Sequence, residues 1–138
     1  MIEIDKLLDK AILEDASDIH LISDLKPMLR IRRDLVAAEG FNELTPEDMI
    51  DLYDYFVRGN VEKDEIYRNT RKLDASAEYK EIRLRVNISM ANDIPIFTLR
   101  LIKNTLPRFE DLGVPEIVRR MTREKQGLLL VTRKNKLW

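Results

Sequence analysis

The feature that most limits how this chain folds is a hairpin written into residues 82–103. Apolar and polar side chains alternate on both sides of Asn92-Asp93. Alternation with a period of two is the pattern of a half-buried strand. Asn and Asp both tolerate the positive φ that a two-residue hairpin turn demands, although Asn-Gly would signal it more strongly. With Asn92-Asp93 as the turn, Leu84 faces Leu101, Val86 faces Leu99, Ile88 faces Phe97 and Met90 faces Pro95. One face is then wholly apolar. A slip of one residue would turn that face to water, so the register is tightly specified.

The opposite face carries the chemistry. The same register sets Arg85 opposite Arg100 and Asn87 opposite Thr98, with Arg83 one step along beside Ile102. Like charges directly across a sheet are unfavourable, so two guanidiniums want an anion near them. Planar guanidiniums suit carboxylate and phosphate oxygens. Two readings stand at this point: a solvated face balanced by acids such as Glu78 or Glu81, or a pair kept for a bound anion.

The rest of the chain supplies an α+β frame. Ile4, Leu7, Leu8, Ala11 and Ile12 recur at helical spacing and predict a helix over 3–14. Residues 17–22 read as a strand with Ile19 and Leu21 on one face. Residues 28–33 read as another, with Met28, Arg30 and Arg32 facing one way, and 35–38 continue it after a turn. Thr45-Pro46-Glu47-Asp48 is a helix start: Thr45 can cap, Pro46 suits the first helical position, and the acids favour the positive end of the dipole. Met49, Leu52, Tyr53 and Phe56 form its apolar stripe, and Gly59 stops it. A helix over about 61–69 carries Val61, Ile66 and Tyr67, with Glu62 to Glu65 as a solvated end. Residues 73–79 and the two hairpin arms complete three strands. A linker over 104–109 precedes a helix over 110–123 with Ile117 and Met121 inward. Gly127-Leu128-Leu129-Leu130-Val131-Thr132 has the continuous apolar pattern of a parallel strand buried on both faces.

Composition removes several function classes. Lys and Arg nearly balance Asp and Glu, for a formal charge of −1, so no global basic footprint for nucleic acid exists. The chain has no cysteine and one histidine, which leaves neither a disulfide frame nor a thiolate or histidine-rich metal site. No apolar run approaches the ~20 residues of a membrane span, and the acidic, amphipathic start is unlike a signal peptide. A cytoplasmic location and no direct membrane insertion are expected. Asp18 and His20 point to one side of their strand, but no nucleophile or metal partner is evident. They read as structural, with Asp18 capping or pairing with an arginine. The methionines and the Tyr53, Tyr55, Phe56 stripe read as packing.

Six segments in order resemble the pilus-retraction (PilT, twitching-motility) subfamily of type II/type IV secretion ATPases. They are Ala16-Ser17-Asp18-Ile19-His20-Leu21 with Pro27-Met28-Leu29-Arg30-Ile31; Leu44-Thr45-Pro46-Glu47-Asp48; Leu73-Asp74-Ala75-Ser76 with Arg83-Leu84-Arg85-Val86-Asn87; Phe97-Thr98-Leu99-Arg100-Leu101-Ile102; Leu112-Gly113-Val114-Pro115; and Gly127 to Thr132. The resemblance implies a PAS-like N-terminal domain over 1–104, an antiparallel sheet with helices on one face. A linker over 105–112, hinged around Asn104 to Arg108, and the start of a RecA-like α/β domain over 113–138 follow. It implies that Arg85 and Arg100 are the two arginines that reach the nucleotide phosphates, with Arg83 adjoining. Six such subunits form a ring. The parent would use ATP and Mg²⁺. It would contact RecA-like domains of its own and neighbouring subunits and work at the inner face of the membrane beside a pilus platform protein. No nucleic acid is involved.

Two departures from the family qualify this. After Thr132 the family continues into a glycine-rich phosphate loop ending in Lys-Ser/Thr, whose amides cradle the phosphates. Here the sequence reads Arg133-Lys134-Asn135-Lys136-Leu137-Trp138. Lys134 and Lys136 are therefore not phosphate-loop lysines. The expectation is a chain truncated before that loop, or one with a foreign tail from 133, with no resident cofactor, at most weak nucleotide binding and no ATP turnover alone. Arg32-Arg33 stands where the family often has Asp-Gly, so the geometry of that turn does not carry over. A stand-alone PAS-like binding module and an inert remnant of a truncated gene are the competing readings.

Overall fold

A computed structural model of the chain describes residues 2–103 and 106–132. The chain divides into two compact units, residues 1–104 and 105–138. The first holds α1 (Ile4–Leu13), β1 (Ala16–Leu21), β2 (Met28–Ile31), β3 (Asp34–Ala37), α2 (Pro46–Val57), α3 (Val61–Thr70), β4 (Lys72–Tyr79), β5 (Ile82–Ala91) and β6 (Ile94–Lys103). The strands form one six-stranded sheet in the order β3-β2-β1-β6-β5-β4. Every neighbouring pair is antiparallel. Two three-stranded meanders are thus joined through β1 and β6, with the helical segment between them in sequence. The fold class is α+β.

The hairpin forms as the alternation dictates. Asn92 and Asp93 both adopt positive φ, 49° and 62°, the combination a tight two-residue hairpin requires. Leu84 pairs with Leu101, Val86 with Leu99, Ile88 with Phe97 and Met90 with Pro95. Leu84, Val86, Ile88, Phe97 and Leu99 are buried and join Ile19, Leu21 and Leu29 in a single core. Leu7, Leu8 and Ala11 of α1 and Met49 and Leu52 of α2 belong to the same cluster. The helices therefore cover the apolar face and leave the polar face open.

The predicted helix start at Thr45 is a full capping box. The Thr45 hydroxyl accepts from the Asp48 amide at 3.2 Å, and the Asp48 carboxylate accepts from the Thr45 amide at 3.0 Å. Of the aromatic stripe, Phe56 packs on Phe97 with ring centroids 6.0 Å apart. Tyr53 packs on Tyr67 at 4.8 Å. The predicted solvated end at Glu62 to Glu65 needs correcting at one residue. Asp64 accepts hydrogen bonds from the Tyr53 hydroxyl and from Arg68, both at 2.7 Å. Burial, then that bond to Asp64, pushes the Tyr53 hydroxyl well above its ordinary range. Val61 and Ile66 are exposed, and Tyr67 alone anchors α3 in the core.

The β2 strand ends at Ile31, two residues earlier than its pattern suggested. Arg32 takes a left-handed conformation, φ 59°, and starts the turn into β3. The hairpin closes without the Asp-Gly pair.

Three expectations fail in the second unit. The segment 110–123 is not one helix. A 3-10 turn (Phe109–Leu112) and a short α4 (Glu116–Met121) flank Gly113, which has φ 63°, and Pro115. Left-handed backbone followed by a proline breaks a continuous helix. The 3-10 turn also falls inside the stretch read as linker. Ile117 and Met121 are about half exposed rather than inward. The run 127–132 forms no strand, and Leu128, Leu130 and Val131 lie largely exposed. A parallel strand exists only when a neighbour completes its backbone hydrogen bonds, and none does so among the described residues. Asn104 and Thr105 of the expected hinge, and residues 133–138, lie outside the described residues.

Candidate functional site

The open face of the sheet is a grid whose rows are set by strand register. Arg85 stands opposite Arg100, as the alternation required. β6 continues the row to Asp18 on β1, and β1 to Arg30 on β2. On the other side Arg85 meets Ser76 on β4. The next row holds Met28, His20, Thr98, Asn87 and Asp74. One step the other way, Arg83 lies between Ile102 and Glu78.

Asp18 is the centre of the first row. The β1–β2 register slips between Ala16 and Asp18, a bulge at Ser17 of the kind that re-aims a side chain. Arg100 Nε donates to Asp18 Oδ1 at 3.0 Å. Ser17 Oγ donates to Asp18 Oδ2 at 2.7 Å, and Arg30 Nε lies 3.8 Å from the same carboxylate. The Asp18 side chain is 10% exposed and that of Arg100 64%. Arg100 is thus anchored at Nε, while its terminal amino groups reach into solvent.

The acid beside the arginine pair is therefore Asp18, which answers its sequence reading as an arginine partner. It is neither Glu78 nor Glu81, and Arg83 and Arg85 form no ion pair among the described residues. Three guanidiniums in the row meet one carboxylate. Two positive charges are left over, centred on Arg85 and the free end of Arg100.

Burial works against the charged form of Asp18. The hydrogen bonds from Ser17 and Arg100, with the charge of Arg100, outweigh it and hold the carboxyl below its ordinary range. A depressed folded value means the stabilisation is complete above the unfolded carboxyl value and disappears as pH falls through the folded one. Asp18→Asn is expected to lower stability by about 1–2 kcal/mol at pH 7. The gap should start to narrow as pH falls below about 4, the ordinary carboxyl value, and go on narrowing towards the lower folded value. Urea midpoints of both proteins from pH 7 to pH 3 check this, and a gap that stays constant would refute it.

His20 does not form an acid–base couple with Asp18. Its Nδ1 lies 3.5 Å from Thr98 Oγ1, and Nε2 is buried without a hydrogen-bond partner among the described residues. Burial first, then the nearby Arg30 charge, pushes the imidazole below its ordinary range, with Asp18 acting the other way. This favours the neutral ring. Arg30 is engaged with Asp18, and Arg32 sits in the turn, so the two do not present a shared strand face. Arg83 and Arg85 also line a depression of about 420 Å³ together with Lys63, Asp74 and Ser76. Nothing in the periodicity of α3 singled out Lys63.

Neither a protein-family model nor a curated protein sequence matches the chain. Solved structures do. The pilus retraction motor PilT with bound ADP superposes with a TM-score of 0.77 at 26% identity, over 92% of this chain and 37% of that one. The chain has the fold of the N-terminal domain of a PilT-like type II/IV secretion ATPase. The ATPase DotB of Legionella pneumophila matches with a TM-score of 0.73 at 19% identity, over 90% of this chain and 35% of that one. DotB of Yersinia pseudotuberculosis matches with 0.66 at 16%, over 86% and 34%. The DotB likenesses speak for the fold alone. The chain spans little more than a third of the length of these secretion ATPases. Among the described residues no helix is long and apolar enough to cross a membrane.

Proposed function

We propose that this chain is the N-terminal domain of a cytoplasmic motor ATPase of the pilus-retraction or secretion kind, and that Arg85 and Arg100 contact the phosphates of ATP, with Arg83 adjoining. The reading rests on one observation above all. Two guanidiniums face each other on an open sheet face, and the single acid of that row, shared with Arg30, meets Arg100 only at Nε and Arg85 not at all. A pair evolved simply to be solvated gains nothing from facing each other. An anion resolves the repulsion.

In the proposed motor six copies form a ring, and each domain lies against RecA-like domains of its own and the adjacent subunit. Those domains hold Mg²⁺ and ATP and carry out the hydrolysis. Arg85 and Arg100 place positive charge where phosphoryl oxygens gain it during transfer. Asp18 fixes the direction of Arg100, which lowers the entropy lost when the side chain engages a phosphate. The rigid sheet moves as one body, so a change at the nucleotide becomes a domain displacement. The work is withdrawal of pilin subunits at the inner face of the membrane, beside the platform protein of the pilus. A stand-alone anion-binding module is the second reading, favoured by a core contained within the first unit.

Amide NMR of the chain titrated with Mg-ATP tests the first reading. Weak binding, in the millimolar range of about 4 kcal/mol, should shift resonances on β5 and β6 around Arg85 and Arg100 without hydrolysis. The shifts should vanish when both arginines become alanine. Binding or turnover that survives the double substitution would sink it.

A further inference from the structure

The depression beside the arginine pair is built from the β5–β6 hairpin together with β4 and α3, which the hairpin alone does not bring together. Arg83 and Arg85 come from β5, and Asp74 and Ser76 from β4. Lys63 comes from the first turn of α3, which is pinned at both ends. The Asn60 side chain accepts from the Lys63 amide at 3.0 Å. At the far end Arg71 closes the helix in a left-handed conformation and reaches Asp93 of the hairpin turn at 2.5 Å. Between them the Tyr67 hydroxyl lies 3.5 Å from the Ser89 carbonyl. Lys63 is therefore delivered to the depression by the fold.

None of Lys63, Arg83 and Arg85 forms an ion pair among the described residues. The one acid in the lining, Asp74, accepts a hydrogen bond from Asn87 at 3.1 Å. Three cations line the depression against one carboxylate, with Glu78 opposite Arg83 just outside the lining, so the surplus is positive around Lys63 and Arg85, and Ser76 adds a neutral hydroxyl. A phosphate group carries about −1.5 to −2 charge at pH 7 and three strong acceptor oxygens, whereas a single carboxylate carries about −1 and has two oxygens.

We propose that Lys63, Arg83 and Arg85 form a phosphate subsite next to the Arg85–Arg100 pair, with Lys63 as a phosphate ligand and Ser76 as a further donor. The proposal extends the nucleotide reading, because Arg85 borders both places. A polyphosphate chain lying across Arg85 has one group against Arg100 and another against Lys63. The phosphate can come from a nucleoside triphosphate or from free inorganic or polymeric phosphate.

The experiment titrates the full 138-residue chain with inorganic phosphate, tripolyphosphate, Mg-ATP and citrate, following amide shifts and heat. Lys63→Ala should weaken tripolyphosphate about tenfold, the loss of one charge-assisted contact, while Lys63→Arg retains most of the affinity. Alanine is the best helix former, so α3 and its circular dichroism should be kept. Tripolyphosphate affinity unchanged in Lys63→Ala overturns the subsite, even if Arg100→Ala weakens Mg-ATP and so upholds the nucleotide reading. The reverse pattern, a Lys63 effect with Mg-ATP indifferent to Arg100, upholds the subsite and points to free phosphate as its source. Citrate binding as tightly as tripolyphosphate, and equally sensitive to Lys63, overturns the phosphate assignment.

Discussion

Replacing Arg85 and Arg100 together by alanine in a motor that carries this domain is expected to cut ATP turnover by at least ~10²-fold, since a fixed donor at developing negative charge is worth about 10²–10³ in kcat. Arginines that complete a phosphoryl-transfer site reach about 10³–10⁵. The loss should fall on kcat, with KM for Mg-ATP little changed, because charge grows on the phosphoryl oxygens in the transition state. Single substitutions should cost less on the Arg100 side when Asp18 is also removed, since an unanchored Arg100 has already lost its direction. Lysine at either position should rescue poorly, because an ammonium lacks the planar fork. Steady-state turnover of the wild type and these variants decides the matter. Equal kcat in the wild type and the double variant would remove these arginines from the chemistry.

Phe97→Ala should have the largest effect on stability. Phe97 lies on β6, an interior strand, paired with Ile88 on one side and Leu21 on the other. It is fully buried and packs on Phe56 of α2. Removing a buried phenyl ring leaves a cavity that neighbours on two strands and a helix cannot collapse into, at a cost of about 3–5 kcal/mol. Small domains are stable by only about 5–15 kcal/mol. Urea unfolding should show a large drop in midpoint with the same slope. Tyr55→Ala is the control. That residue is 55% exposed and its ring makes only an edge contact with Phe56, so its loss should stay near about 0.5–1.5 kcal/mol. A Phe97→Ala loss no larger than the Tyr55→Ala loss would contradict the placement of the core.

The two expectations follow from the same alternation. Phe97 and Arg100 differ by an odd number of positions on one strand, so one must face the core if the other faces out. This is legible in the sequence alone, because burying Leu84, Val86, Ile88 and Leu99 admits a single register. The cap at Thr45 is legible for a similar reason, since the reciprocal Thr45–Asp48 hydrogen bonds span only three residues. The apolar run 127–132 forms no strand, because such a run states only that a segment would suit a sheet interior. It cannot state that a neighbouring strand exists.

What the sequence determined by itself is the β5–β6 register and, with it, the opposition of Arg85 and Arg100. What only the tertiary structure decided is how that pair is balanced. Asp18 reaches Arg100 across 82 positions of chain, through the β1–β6 pairing and a bulge at Ser17. Lys63 reaches the depression of Arg83 and Arg85 through the docking of α3. Local periodicity specifies which face a residue occupies. Which distant charge shares that face is set by how strands and helices pack, and the free energy that settles it is summed over the whole core.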